Sequence, residues 1–146
     1  MAEADRFALG RFVEAQAVNY ADAIRELRAG RKETHWMWYV LPQLRGLGRS
    51  DFATRYGLTG LDEARAYLAH PVLGPRLLDC ARAILSHDGR TAEQIMGKID
   101  GRKLQSTATL FALADPDGPV GDAMRAILAR HYDGADCPRT LAMLGR

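Results

Sequence analysis

The chain has 146 residues, of which 47% are hydrophobic and 26% charged, with a formal net charge of +2. That length suits one domain with a self-sufficient core, since a domain of about 150 residues buries roughly 68–70% of its unfolded surface. The balance excludes a disordered chain, and so small a charge gives no reason to expect nucleic acid or an anionic membrane as a partner.

The N-terminal stretch Met1-Ala2-Glu3-Ala4-Asp5-Arg6 is charged and has no apolar core, so no signal peptide is expected. Phe12, Gln16, Tyr20, Ala23, Ile24 and Leu27 recur at helical spacing and predict a first helix, with Gly30 as its stop. The apolar run Trp36 to Leu41 is too short to span a bilayer. It has no strand partner in the sequence, so it is expected to be a short buried helix ending before Pro42. Ser50-Asp51-Phe52-Ala53 opens another short helix, ended by Gly57. Thr59 is expected to cap a helix beginning at Leu61 and stopped before Pro71. Pro71 suits the first turn of a longer helix, whose stripe is Leu73, Leu77, Cys80, Ala81, Ile84 and Leu85.

Thr91 and Gln94 have capping-box spacing, and Gly97 ends that helix. Asp100 is expected to cap the next one, with a core face of Leu104, Ala108, Phe111 and Ala112. The turn Asp115-Pro116-Asp117-Gly118-Pro119 leads to a helix carrying Val120, Met124, Ile127, Leu128 and Tyr132, ended by Gly134. Asp136, two residues before Pro138, is expected to cap a last short helix with Leu141 and Leu144. The expected fold is all-α, a compact bundle of about seven to nine short and medium helices forming a single domain over residues 1–146.

Cys80 and Cys137 stand in no Cys-x-x-Cys pair and at no metal-ligand spacing from a histidine, so no metal site is expected and a reducing cytoplasm is the expected location. His-Glu-x-x-His and Gly-x-Ser-x-Gly motifs are absent, which removes the common metalloprotease and hydrolase templates, and no cofactor is called for. Both tryptophans fall in His35-Trp36-Met37-Trp38-Tyr39-Val40-Leu41-Pro42-Gln43. Residues two apart on a helix face different ways, so one indole can pack inward while the other lines a cleft. His35 is either a proton-transfer group or a buttress of the helix start, and Gln43 either reads a polar ligand edge or satisfies stray backbone groups.

The turn Leu44-Arg45-Gly46-Leu47-Gly48-Arg49-Ser50 is a weak anion signal, and a tight turn with solvated arginines explains it as well. Arg25, Arg28, Arg31 and Lys32 are expected to form a solvated basic edge. In Asp100-Gly101-Arg102-Lys103-Leu104-Gln105-Ser106-Thr107-Ala108-Thr109, three hydroxyls lie close to an apolar stripe, which raises the prospect of ligand contacts there.

Gly30-Arg31-Lys32, His35-Trp36-Met37-Trp38, Pro42-Gln43, Gly46-Leu47-Gly48 and Ser50 closely resemble the bacterial domain-of-unknown-function family 1810. Tyr56-Gly57, His70-Pro71, Asp100 with Lys103-Leu104, Ser106 and Thr109-Leu110-Phe111 extend the resemblance over nearly the whole chain. Tyr39-Val40-Leu41 and Ala108 depart mildly from the pattern, as core exchanges. The resemblance implies a compact all-helical domain without an established activity. Some members carry the label calpastatin, but a calpain inhibitor of that type is a disordered chain, unlike this one.

The reading that joins these observations is one polar-lined cleft, with Lys32, His35, Trp38 and Gln43 on one wall and Asp100, Lys103, Ser106 and Thr109 on the other. Its ligand would be small and anionic, a nucleotide or an ADP-ribose-like compound. The lysines would meet its charge, Trp38 would stack on a ring and Gln43 would read a polar edge. If chemistry occurs there, His35 with Asp100 is the acid–base pair. The rival is a non-catalytic protein–protein interaction module with purely structural aromatics. A nucleic-acid binder using the arginine edge is a third class, which steep salt dependence would reveal.

Overall fold

The computed structural model describes residues 6–146; up to residue 5, the N-terminal stretch in which no signal peptide is expected lies outside them. Nine helices follow in chain order among the described residues: α1 (Gly10–Ala29), α2 (Met37–Val40), α3 (Asp51–Tyr56), α4 (Leu61–Ala69), α5 (Leu73–Leu85), α6 (Ala92–Met96), α7 (Lys98–Ala114), α8 (Pro119–His131) and α9 (Pro138–Met143). The fold is all-α, and the one piece of β-type pairing among these residues is an isolated parallel bridge between Leu44 and Leu58. No helix among them is long and apolar enough to cross a membrane.

Several ends form where local chemistry places them. Gly30 stops α1 in the left-handed region at φ 80°, with its N–H turned back to Leu27. The ring of His87 and the side chain of Arg90 pack on this cap and bond to the carbonyls of Leu27 and Gly30. Ser50 caps α3 through the Ala53 N–H, and Thr91 with Gln94 completes a reciprocal capping box on α6.

Three expected caps and one expected first-turn proline are arranged differently. Thr59 does not cap α4; its N–H and hydroxyl donate to the buried Glu63 carboxylate, and Gly60 holds the cap position. Pro71 precedes α5 in a turn, and His70 Nδ1 accepts the N–H groups of Val72 and Leu73 in its place. Asp100 sits inside α7, one turn past Gly97, where two lysines claim its carboxylate. Asp136 leaves the cap of α9 to Cys137.

α7 is the axis of the molecule. Gly101, Leu104, Ser106, Thr107, Ala108, Thr109, Leu110, Phe111, Ala112 and Ala114 are all buried, so it presents no wide solvent face and packs on α4, α6, α8 and α9. Around it Phe12, Leu27, Trp36, Tyr67, Leu77, Ile84 and Ile95 form one continuous apolar cluster. α2 plugs that cluster from one end, with Met37, Tyr39 and Val40 buried. The chain leaves α2 through Pro42 and returns after α3 so that Leu58 N–H bonds Gln43 O and Arg45 N–H bonds Leu58 O. The two strands cross so closely that a Cβ on Gly57 would sit 2.5 Å from Arg45 Cα, so only glycine fits. This crossing fixes Gln43 and α3 against α2.

Candidate functional site

The two tryptophans divide their roles. Trp36 is fully buried, whereas Trp38 is half-buried and stacks obliquely on Phe52, with ring centroids 5.0 Å apart. What orients this segment is Glu26, a carboxylate on the buried face of α1. Its Oε1 accepts the N–H of Glu33 at 2.7 Å, the N–H of Thr34 at 2.9 Å and the indole Nε1–H of Trp36 at 3.0 Å; its Oε2 accepts the Thr34 hydroxyl at 2.6 Å. Burial works to raise its pKa, but the Thr34, Glu33 and Trp36 donors outweigh burial and hold it at about 2. Glu26 therefore folds residues 33–36 over the end of α1 as a fixed anion.

The segments around residues 32–43 and 100–103 meet. Lys32 is almost wholly buried, and its Nζ lies 3.0 Å from Asp100 Oδ2, 2.5 Å from Thr34 O and 4.8 Å from the Trp36 ring. It is not part of the solvated basic edge that Arg25, Arg28 and Arg31 do form. Lys103 Nζ stands 3.7 Å from Asp100 Oδ1 and 5.5 Å from the Trp38 ring centroid. One carboxylate thus serves two ammonium groups. Lys32 takes the short contact, and Lys103 keeps much of its charge for what lies next to Trp38.

What lies there is a small hollow lined by Met37, Trp38, Leu41, Gln43, Ala53, Tyr56, Gly57 and Lys103. Its volume is about 10 Å³, the room of about one water. Gln43 contributes an amide that makes no hydrogen bond with the described residues, although its backbone carbonyl is taken by Leu58. Met37, Leu41, Ala53, Tyr56 and Gly57 supply an apolar lining that the sequence reading missed. Their apolar character and nearness to the aromatic run were its only signals.

The other predicted residues go elsewhere. His35 is exposed and does not line the hollow; it rims a neighbouring surface groove with Val18, Asn19 and Phe52 that shares Trp38 and Tyr56 with it. It forms no ion pair or hydrogen bond with Asp100, so the structure does not assemble the expected acid–base pair. Ser106 donates to Cys137 Sγ at 3.3 Å, and Thr109 Oγ1 accepts the Cys137 N–H at 2.9 Å while donating to Gln105 O. Both serve the α7–α9 junction and not the hollow. Burial pushes the Cys137 thiol up, but donors from Ser106, Thr140 and Arg139 hold it below its ordinary range. Thr107, the middle hydroxyl of that run, donates to Leu41 O at 2.9 Å and ties α7 to the end of α2. No cluster of His, Cys, Asp or Glu suited to a metal ion occurs among the described residues.

Glu26 is the organising residue that the sequence reading did not single out. An acidic residue beside Leu27 on the largely apolar face of α1 was the available signal, since such a group is buried only with partners.

No functionally curated protein matches the chain. A solved structure, that of the conserved hypothetical protein Rv1873 from Mycobacterium tuberculosis, superimposes with a TM-score of 0.92 at 49% identity, covering 97% of this chain and 99% of that one. The family model described as "Protein of unknown function (DUF1810)" matches residues 6–144, and the chain belongs to that family.

Proposed function

We propose that the hollow under Trp38 binds a small anionic ligand of the nucleotide or ADP-ribose type. The observation that carries this reading is the meeting of Trp38, Gln43 and Lys103 at one apolar hollow, each with binding capacity left over. Trp38 offers a ring face, Gln43 an unpartnered amide, and Lys103 the one positive charge in the lining. An indole, an amide and a half-balanced ammonium together suit a planar heterocycle attached to an anionic group. The proposal is one of binding, with no acid–base step, because His35 and Asp100 stand apart.

A ligand larger than water needs the hollow to widen. The exposed Phe52 ring is the part able to give way, since the α3 backbone is tied to Arg11 through Arg55 O and to Arg45 through Thr54 O. Its turning away from Trp38 would open the ring face.

Thermal denaturation of the wild type with a panel of nucleotides and ADP-ribose is the test. A stabilising ligand raises Tm by an amount that grows with the logarithm of its concentration over Kd. The expected result is a shift that Lys103→Ala and Gln43→Ala each abolish while leaving the ligand-free Tm largely intact, and that Trp38→Ala abolishes with a lowered ligand-free Tm, because Trp38 also packs on Phe52 and the core. If no compound shifts the wild type, or the three variants respond as the wild type does, the hollow is packing. The interaction-module reading then stands.

A further inference from the structure

The arginine turn before α3 plays no part in the Trp38 hollow. Arg45 instead faces a second, open cleft of about 320 Å³, which it lines together with Arg6, Arg11, Arg55 and Glu63. The two hollows share no lining residue.

Arg11 and Glu63 form the frame of this cleft and cancel each other. Their ion pair measures 2.9 Å, with side chains 15% and 2% exposed. Arg11 also donates to the carbonyls of Phe7, Ala8, Arg55 and Gly57, so its donors are spent on holding the walls together. Glu63 gives its other oxygen to Thr59. Arg45 and Arg55 are different. Both are exposed, and neither forms an ion pair among the described residues. Arg45 spends only Nε, on Thr54 O at 3.1 Å, and Arg55 lies over the Tyr56 ring at 5.6 Å. Arg6 stacks on Phe7 at 4.7 Å and faces the same space. Guanidinium groups gathered on a concave wall around an already neutralised acid make a focused positive field with free forked donors.

We propose that this cleft binds a compact phosphate cluster, the di- or triphosphate group of a small molecule, bridged by Arg45 and Arg55 and covered by Arg6. The adjoining hollow carries Arg6 and Arg65 with a single carboxylate, Asp62, which pairs with Arg65 at 3.5 Å. A short phosphate chain is the ligand favoured because the exposed, unpaired Arg45 and Arg55 line one concave cleft together. The volume is at the lower end of the range of about 300–1,000 Å³ for small-molecule pockets.

Isothermal titration of the full chain with inorganic triphosphate, at several salt concentrations, is the test. The wild type is expected to bind with an affinity that falls as salt rises. Arg45→Ala with Arg55→Ala together should cost at least about tenfold, and the paired lysine variant should recover part of it. Lys103→Ala and the distant Arg139→Ala should bind as the wild type does, which separates this cleft from the Trp38 hollow. NMR of the arginine Nε–H resonances in the wild type, where triphosphate should move Arg45 and Arg55, needs no variant to fold. Absence of triphosphate binding, unchanged binding in the double alanine variant, or capture through these arginines of single-stranded RNA but not triphosphate would overturn the proposal.

Discussion

Trp36 Nε1–H donates to Glu26 Oε1 across 3.0 Å, joining the core indole to a buried carboxylate ten residues earlier in the chain. That bond makes the end of α1 and the start of α2 one unit, and it decides which tryptophan turns inward. With Trp36 held, Trp38 is left on the opposite side of a four-residue helix, against Phe52 and Lys103.

Glu26→Gln is expected to destabilise the protein by about 3 kcal/mol, because the amide cannot accept every donor the carboxylate satisfies, and each orphaned buried donor costs about 1–3 kcal/mol. Urea denaturation followed by tryptophan emission measures it. A loss below about 0.5 kcal/mol, the range of ordinary surface changes, would show that residues 33–36 are held by something else.

The same carboxylate makes stability pH-dependent. Its folded pKa of about 2 lies below the ordinary value of 4.5, so its contribution is complete above pH 4.5 and is lost as pH falls toward 2. The contribution is on the order of 3 kcal/mol. Denaturation midpoints measured between neutral pH and pH 2 should fall in this window for the wild type and fall less for Glu26→Gln.

Asp100→Asn and Lys103→Ala should separate structure from site. The first leaves the buried Lys32 ammonium without its anion, and losing one partner of a well-buried pair costs about 3–5 kcal/mol. Part of the Asp100 side chain, 19%, is exposed, so about 2 kcal/mol is expected. Lys103→Ala removes only a long, partly solvated contact and should cost less than about 1 kcal/mol. Comparing the two in chemical denaturation tests whether Lys32 holds the frame while Lys103 remains available.

His35→Ala should change stability by less than about 0.5 kcal/mol, since the residue is exposed, its side chain makes no hydrogen bond among the described residues, and the Tyr39 hydroxyl bonds its backbone carbonyl, which alanine keeps. It should also leave any ligand-induced rise in Tm intact, since His35 faces the groove on the other side of Trp38. A lost ligand response in this variant would return His35 to the site.

Gly57→Ala should destabilise by about 1–3 kcal/mol, the usual cost of overpacking, since the new Cβ would meet Arg45 Cα at 2.5 Å. A thermal melt measures it. The variant should also disturb both hollows, because the crossing positions Gln43 on one side and Arg45 on the other.

The sequence by itself determined the helices and many of their ends. Apolar spacing, the Ser50 cap, the Thr91–Gln94 box and the Gly30 stop all act within one or two turns, so the chain carries them locally. The opposed directions of Trp36 and Trp38 were legible for the same reason, and the length of the resemblance indicated the family. The tertiary structure alone decided what each polar side chain is for. Thr107 is satisfied by Leu41 O, 66 residues away, and Ser106 by Cys137, 31 residues away, while Asp100 is drawn from a cap to Lys32. A buried polar group goes to whichever distant atom comes within about 3 Å of it, and no local spacing encodes that encounter. For this reason Lys103, Trp38 and Gln43 came together while Ser106, Thr109 and His35 did not.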